Sequence, residues 1–373
     1  MCGIAGYITK KKYSNFSFKE TSKNLGNLMK NRGPNQQGSL TFSSSTYNIN
    51  LFSSRLSIID LDKRSDQPFK YEDLILIYNG ELYNYLEIKS FLKKKKIKFR
   101  THSDTEVIIK AYQYWGENCI EHFDGMWSFC IFDYKKGKIF ISRDNFGEKP
   151  LYYFHEKNNF VFGSEIKFIQ EILKKNKTKE INFNKVNDYI TKGYKSLYKN
   201  SETFFNNIYE VERGSNITLD LNKFSLRKIR YLDRKKLIKK NISKDINENI
   251  YETKNLLLES LKLRLRSDVP ISFCLSGGVD SASLVSLCYK NFNIKAKCFS
   301  IIDEDERYNE KKKIEIIKRD LDCDIDYITL KKEKNNDFIS NLEKLVKYHD
   351  SPLSTISYYV HSKISQLASQ NGF

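Results

Sequence analysis

The sequence is poor in several features that would narrow its class at once. No stretch approaches the ~18 consecutive apolar residues of a spanning helix, which excludes a membrane bundle. No apolar segment of the secretory type follows the start: Met1-Cys2-Gly3-Ile4-Ala5-Gly6 leads into Lys10-Lys11-Lys12. The seven cysteines form no C-x-x-C pair and their number is odd. Neither a disulfide framework nor a zinc site is expected from them, and a reducing cytoplasm fits. No internal repeat is present. Arginine is also scarce: 13 of the 64 basic residues are Arg, against a formal net charge of +18. Arg is the residue suited to gripping phosphates bidentately and reading base edges. A surplus carried by Lys, in runs such as Lys93-Lys94-Lys95-Lys96 and Lys311-Lys312-Lys313, is expected to be solvated surface. Neither a nucleic-acid nor a membrane partner is therefore expected.

What is present is a change of rhythm near the middle. A chain of 373 residues is too long for one ordinary core and fits two domains. In the first half, β-branched and aromatic runs predict strands over Ile49–Ile59, Leu74–Tyr78, Met126–Asp133, Lys138–Arg143, Leu151–Phe154 and Asn159–Gly163. Apolar residues at helical spacing predict helices over Thr21–Asn31 and Asp104–Trp115. This is an α+β layered domain, expected to span residues 1–219. A Lys/Arg/Asn-rich stretch over 220–249 reads as a connector. From residue 250 onward strands and helices alternate: helix Ile250–Ser267, strand Val269–Leu275, helix Ser281–Lys290, strand Ala296–Ile302, helix Glu306–Asp320, strand Ile325–Leu330, then helices Asp337–Lys347 and Tyr358–Gln370. That alternation implies a parallel sheet in an α/β domain, 250–373, which looks incomplete with about three strands.

Cys2 is the first candidate for chemistry. A small side chain after Met1 favours removal of that methionine, which leaves Cys2 with a free α-amine. Such an amine titrates near ~7.7–8.0, so it can serve as general base to the adjacent thiol without a histidine. Taken alone, a second-position cysteine is more often an ordinary residue.

The surrounding residues reverse that balance. Cys2-Gly3-Ile4-Ala5-Gly6-Tyr7 resembles the start of class II glutamine amidotransferases, which are N-terminal-nucleophile hydrolases. Further segments follow in the family's order. Asn31-Arg32-Gly33-Pro34-Asn35 resembles its HRGPD loop, and Arg55-Leu56-Ser57-Ile58-Ile59-Asp60 its RLSIVD segment. Tyr78-Asn79-Gly80-Glu81-Leu82-Tyr83-Asn84 resembles NGEIYN, and Ser103-Asp104-Thr105-Glu106 resembles SDTE. Arg143 to Tyr153 resembles RDxxGxKPLYY, and Ser164-Glu165-Ile166-Lys167 resembles SEIKAL. The resemblance implies an αββα sandwich and a glutamine site. Glutamine carries a carboxylate, an ammonium and the amide to be cleaved. Arg55 suits the carboxylate, while Glu81 and Asp104 suit the ammonium, with Ile58 beside them. The oxyanion formed by thiolate attack needs fixed donors, and the matching pair in the family is the Asn79 side chain and the Gly80 backbone N–H. Each residue also has a plainer reading: a surface Arg, a helix cap at Asp104, a turn at Asn79-Gly80.

The second half carries Leu275-Ser276-Gly277-Gly278-Val279-Asp280-Ser281 between a strand and a helix. Such a loop can cradle an anion on backbone N–H groups. The Walker A spacing is absent. The segment resembles the SGGxDS loop of N-type ATP pyrophosphatases, which split ATP to AMP and pyrophosphate. By that resemblance Ser276, Gly277, Gly278 and Ser281 meet phosphate, Asp280 acts through Mg²⁺, and Leu275 and Ile301 line the adenosine site. Arg264 to Pro270 resembles the RLRSDVP that precedes it.

The family that joins these two halves is glutamine-hydrolysing asparagine synthetase. The resemblance implies glutamine, aspartate and ATP as small-molecule substrates, with ammonia from Cys2 displacing AMP from an activated carboxylate. A homodimer is compatible with it. Three departures stand out. Asn31 and Asn35 replace the His and Asp of HRGPD. The residues around Asp350 to Thr355 match the substrate segment only loosely, so a sugar acid or other surface-polysaccharide precursor is an alternative acceptor. The family's later SGxGxDE loop is not reached by Phe373, which leaves hydrolysis of glutamine alone as a further alternative.

Overall fold

A computed structural model describes residues 1–11, 18–174, 179–232, 245–330 and 335–373. The chain divides into two compact units, Met1–Lys240 and Asn241–Phe373.

The first unit is built on two six-stranded antiparallel sheets. One contains β1 (Gly3–Lys10), β2 (Gln36–Ser43), β3 (Tyr47–Arg55), β8 (Tyr152–Glu156), β9 (Asn159–Gly163) and β10 (Ile208–Glu210), in the order β10-β8-β9-β1-β3-β2. The other contains β4 (Phe69–Tyr71), β5 (Leu74–Leu82), β6 (Gly125–Asp133), β7 (Lys138–Arg143), β11 (Ser215–Asp220) and β12 (Ser225–Arg230), in the order β12-β11-β7-β6-β5-β4. Strand side chains alternate between faces. In β1, Ile4 and Ile8 enter a core between the sheets with Ile49, Leu51, Ile77 and Phe132. Ala5 and Tyr7 face the other way, onto Leu25 and Met29 of α1 (Phe18–Met29) and Ile169 of α4 (Ile166–Leu173). The second sheet is covered in turn by α2 (Tyr85–Lys94) and α3 (Asp104–Trp115), through Leu76, Tyr78, Ile88, Leu92, Val107 and Phe129. Helix, sheet, sheet, helix is the αββα arrangement of an N-terminal-nucleophile hydrolase.

The second unit has a parallel sheet in the order β13-β14-β15, from β13 (Ser272–Cys274), β14 (Lys297–Asp303) and β15 (Asp324–Leu330). Helix α6 (Ile246–Arg264) precedes it. Helices α7 (Val279–Phe292) and α8 (Lys311–Leu321) make the crossovers, and α9 (Asn335–His349) and α10 (Ser357–Gln370) follow. Its core joins Leu275, Val285, Cys298, Ile314 and Ile325. This is the expected α/β unit.

Several boundaries differ from the sequence reading. The strand expected over Ile49–Ile59 stops at Arg55. The strand expected over Val269–Leu275 shortens to three residues, because Pro270 cannot supply a ladder N–H. The expected connector begins with structure: β12 pairs with β11 along its whole length, so residues through Arg230 belong to the first unit. Its alternation was hidden because five of its six side chains are exposed and four are polar or charged. Residues 233–244 of the connector lie outside the described residues, and its last four open the next helix, which runs Ile246–Arg264 where Ile250–Ser267 was expected.

Candidate active site

The antiparallel register of β1 and β3 places Gly3 opposite Ser54, so Cys2 and Arg55 stand at the same end of the pair. The Leu56 N–H donates to the Cys2 Sγ at 3.3 Å, and that Sγ lies 3.6 Å from the Leu56 carbonyl. Cys2 is buried. Burial pushes its thiol up, while the Leu56 bond, the chain-start amine and Arg55 pull it down. Burial also lowers the α-amine of Met1, the residue before Cys2; Cys2 and Glu81 act against this, and Arg32 and Lys149 act with it. A base that stays neutral beside a thiol is the pairing that nucleophilic attack requires. Arg32 holds the backbone of Cys2: its Nε–H donates to the Cys2 carbonyl at 2.8 Å, and its Nη1 pairs with Glu165 at 2.8 Å.

A narrow cleft brings Cys2, Arg55, Ile58, Gly80, Glu81 and Asp104 together. Asp104 opens α3, but Ser103 is the cap, accepting from Thr105 N–H at 3.1 Å. The Asp104 carboxylate is buried and accepts from Leu82 N–H at 3.0 Å and the Tyr78 hydroxyl at 3.1 Å. Burial nevertheless raises it above its ordinary range. Burial raises Glu81 as well, with Lys149 opposing and Asp104 reinforcing. Two acids held above their ordinary values are short of a cation, and an ammonium placed between them reverses both shifts. Arg55 departs from the expected carboxylate grip. Its Nη1 donates to the Asp62 carbonyl and to Asp66, and its Nη2 to the carbonyls of Ile59 and Asp60. The cleft holds about 20 Å³, room for about one water. Any ligand larger than a water molecule therefore needs the 56–62 wall to yield, which would release Arg55 from those carbonyls.

Asn79 and Gly80 lie in β5 opposite Ser128 and Trp127 of β6. By alternation Asn79 faces the space between the sheets, as Ile75 and Ile77 do. Its side chain is fully buried, with Nδ2 3.4 Å from Ser128 Oγ and Oδ1 without a partner. Ser128 can donate as well as accept, so turning the amide over satisfies the oxygen and leaves the NH₂ open. That is the state an oxyanion donor needs. Gly80 has no room for a side chain, since a Cβ would stand 2.1 Å from the Met126 carbonyl.

Three participants were not singled out by the sequence. Arg32 and Lys149 lie in recognised segments without a role attached to them, and Tyr78 precedes the Asn79-Gly80 pair. The Asn35 departure is also explained. Its Oδ1 accepts from Ser57 N–H at 3.0 Å, a task for which an amide oxygen serves as well as a carboxylate.

In the second unit, β13 ends at Cys274 and Gly278 caps α7, so residues 275–278 form a strand-to-helix loop. Ser276 and Ser281 close it: Ser276 N–H donates to Ser281 Oγ at 3.1 Å, and their hydroxyls are 2.9 Å apart. Gly277 N–H donates to a Glu310 carboxylate oxygen at 3.0 Å, so an anion already sits on the cradle. Leu275 is buried, and Ser300 bonds its carbonyl at 2.7 Å; Ile301 is the next residue of β14. Asp280 is exposed in the first turn of α7. Among the described residues no cluster of three metal-ligating side chains occurs, so a Mg²⁺ here would be held mainly by phosphate.

Residues 1–231 match a family model described as a glutamine amidotransferase domain, and residues 252–373 one described as asparagine synthase. A Methanocaldococcus jannaschii protein named provisionally as asparagine synthetase (glutamine-hydrolyzing) 2 is 35% identical, over 99% of this chain and 72% of its own. Bacillus subtilis asparagine synthetase (glutamine-hydrolyzing) 1 is 28% identical, over 95% and 54%. A Gibberella zeae protein named amidase chry2 is 31% identical, over 77% and 42%. The chain spans about half the length of most of the curated relatives it matches.

Proposed function

From the premise that this chain belongs to the glutamine-hydrolysing asparagine synthetase family, we propose that it releases ammonia from glutamine at Cys2 and delivers it to an ATP-activated carboxylate. The observation that carries the first half is the meeting, at one cleft, of a buried thiol one residue from the chain start and two acids that burial raises. The Cys2 sulfur attacks the amide carbon and its proton passes to the amine. The oxyanion rests on the Asn79 amide and Gly80 N–H. The amine returns the proton to nitrogen, ammonia leaves, and water cleaves the thioester to glutamate. Glu81 and Asp104 hold the substrate ammonium, and Arg55 its carboxylate once the wall has moved.

For the second half, Ser276, Gly277, Gly278 and Ser281 would hold the phosphates, and Leu275 and Ile301 the adenosine side. Asp280 would stand beside Mg²⁺. The Glu310 carboxylate on Gly277 N–H supports the anion reading. ATP would supply the adenylyl group that turns a carboxylate into a leaving-group ester. Aspartate is the acceptor favoured by the family. A different carboxylate is the second reading, favoured by the loose match of 350–355.

The test uses the full chain. Glutamate release from glutamine is expected, and Cys2→Ala should abolish it. Release that survives in Cys2→Ala overturns the nucleophile. Formation of AMP and pyrophosphate with aspartate, compared with sugar acids, then separates the two acceptors.

A further inference from the structure

Strand β4 pairs with β5 only between Phe69–Tyr71 and Leu74–Leu76. The same register continued would set Gln67 opposite Tyr78, and Ser65 opposite Gly80. The ladder stops first, because the backbone of Gln67 is engaged elsewhere. The side-chain amide of Gln36, at the start of β2, accepts from Gln67 N–H at 3.3 Å and donates to the Gln67 carbonyl at 2.8 Å. Gly38 leaves room for this approach, since a Cβ there would stand 2.0 Å from the Gln67 carbonyl oxygen. The Gln67 side chain is 4% exposed and turns back to β5, where its Oε1 accepts from Tyr78 N–H at 2.6 Å. A side-chain oxygen thus stands in for the next residue of the strand. Gly80 N–H is directed to this same edge. In an antiparallel ladder, alternate residues turn both backbone groups to the same neighbour. Trp127, opposite Gly80, turns its N–H to Asp144 Oδ2 at 3.3 Å and its carbonyl to Asp144 N–H at 2.9 Å. The Gly80–Trp127 pair is therefore not a hydrogen-bonded one, and Gly80 N–H points away from β6. On that side Gln67 takes Tyr78 N–H, and Asp104 Oδ2 takes Leu82 N–H at 3.0 Å. Gly80 N–H lies between these two capped groups, on a cleft that Gln67 and Gly80 both line.

We propose that Gln67 is a positioning residue for the oxyanion site: with its backbone held by Gln36 and its side chain on Tyr78, it ends β4 short of Gly80 and keeps the Gly80 N–H open to the cleft. The proposal rests on the Cys2 reading above. An oxyanion donor is effective when it is already in place and does not reorganise as charge develops. A free strand edge is poorly suited to that, because its N–H groups are held by water alone. Here the edge is pinned two residues to either side of Gly80, by Gln67 on one side and Asp104 on the other. Had β4 continued in register, the carbonyl of a strand residue would face the Gly80 N–H and consume it. Had β4 ended with nothing in its place, Tyr78 N–H would be left without an acceptor in a buried setting, at a cost the fold avoids. The Gln67 amide meets both conditions. Its orientation is fixed too: the Tyr78 N–H is a donor, so the atom facing it is the oxygen.

The experiment is steady-state glutamine hydrolysis by the full chain carrying Gln67→Met or Gln36→Met. Active sites are counted by complete alkylation of Cys2 with a diazoketone analogue of glutamine, read by mass spectrometry, so that unfolded protein does not enter kcat. Gln67→Met keeps the length of the side chain and loses the acceptor. It should lower kcat per active site at least about tenfold, with KM for glutamine and inhibition by glutamate within about threefold of wild type. Gln36 is not among the residues that line the cleft, so its effect cannot come from touching the substrate. Gln36→Met should lower kcat per active site at least about threefold, again with KM held. Smaller losses in either variant overturn the proposal. So does a purely structural outcome, in which fewer sites are active but each turns over at the wild-type rate. A KM raised beyond about threefold in Gln67→Met makes Gln67 a contact of the substrate and overturns the positioning role. Should Gln67→Met fail to fold, Gln36→Met decides alone. Wild-type protein that releases no glutamate removes the Cys2 reading and this one together, whereas an active wild type with indifferent variants removes this one only.

Discussion

Replacing Asn79 by alanine should separate activity from stability. The side chain is fully buried, makes one 3.4 Å contact through Nδ2, and leaves Oδ1 unmet. A buried polar atom without a partner costs about 1–3 kcal/mol. Deleting the amide removes that cost. The packing lost with so small a group is of similar size, about 1–2 kcal/mol. The net change in stability should therefore stay within about 1 kcal/mol. Activity should behave otherwise. Loss of one oxyanion donor typically costs about 2.7–4 kcal/mol of transition-state stabilisation, roughly 10²–10³ in kcat, with KM for glutamine nearly unchanged. Two measurements check this: steady-state glutamate release, and urea unfolding followed by tryptophan fluorescence. The chain's two tryptophans, Trp115 and Trp127, both lie in the first unit, so the fluorescence reports on that unit alone. Asn79→Asp adds a control of the same shape without the NH₂, and should lose at least as much. A kcat within about tenfold of wild type, or a stability loss above about 3 kcal/mol that accounts for the activity, would refute the reasoning.

Three further outcomes are expected. Gly80→Ala should lower kcat at least about 100-fold and destabilise the first unit by several kcal/mol, because a Cβ 2.1 Å from the Met126 carbonyl forces β5 and β6 apart; circular dichroism melts with kinetics would show it. The KM for glutamine should climb as pH falls, starting above the ordinary carboxylate range of roughly 4–4.5, because burial raises Asp104 and Glu81 and each must be ionised to hold an ammonium; a KM flat to pH 4.5 would count against the assignment. Glu106→Gln should cost about 3 kcal/mol in urea unfolding. Glu106 is fully buried, accepts from Thr101 N–H at 2.7 Å and pairs with the buried Lys110 at 3.0 Å. Burial alone would raise its carboxyl, but hydrogen bonds from Thr101, Lys110 and Arg100 outweigh it and hold it low. Its contribution is thus complete above about pH 4.3 and lost as pH falls through the depressed folded value.

What the sequence made legible follows physical lines. Asp104–Trp115 was readable to the residue because a capping serine and apolar spacing agree there. The α/β alternation was readable because parallel strands and their helices are apolar in different periods. β2 was missed because Gln36–Ser43 is mostly polar and has only Leu40 and Phe42 to mark its inner face, and β10 because three residues give no period. At the site, the cleft gathers Cys2, Arg55, Ile58, Gly80, Glu81 and Asp104 as expected from residues up to about 100 positions apart in the chain. Two details were beyond reach. Motif matching cannot show that the Arg55 nitrogens are engaged by the 59–62 carbonyls, nor that the Asn79 Oδ1 has no partner among the described residues, since both depend on what surrounds a side chain in the fold.

The acids of these motifs show where such matching misleads. Asp60, Asp104, Glu106 and Asp144 all sit in family-like segments, where motif matching alone does not tell an acid that meets a ligand from one that holds the backbone. In the fold they act chiefly as acceptors of backbone N–H groups. Asp60 takes Asp62 N–H at 3.1 Å, His102 N–H at 2.8 Å and the Ser65 hydroxyl at 2.8 Å. Asp144 takes four backbone N–H groups. A carboxylate that binds several N–H groups fixes a loop more firmly than neutral bonds do, because charge-assisted bonds are about twice as strong. These acids pin the ends of β3, β5 and β7, from which Arg55, Asn79, Gly80 and Lys149 are presented. Asp104 alone does both jobs, holding Leu82 N–H while facing the cleft. It follows that substituting Asp60 or Asp144 should damage the site through geometry, lowering kcat together with stability at every pH. Asp104→Asn, by contrast, should act first on the KM for glutamine. That division between the four acids is what the structure adds to the motifs, and measuring stability and KM for the same variants decides it.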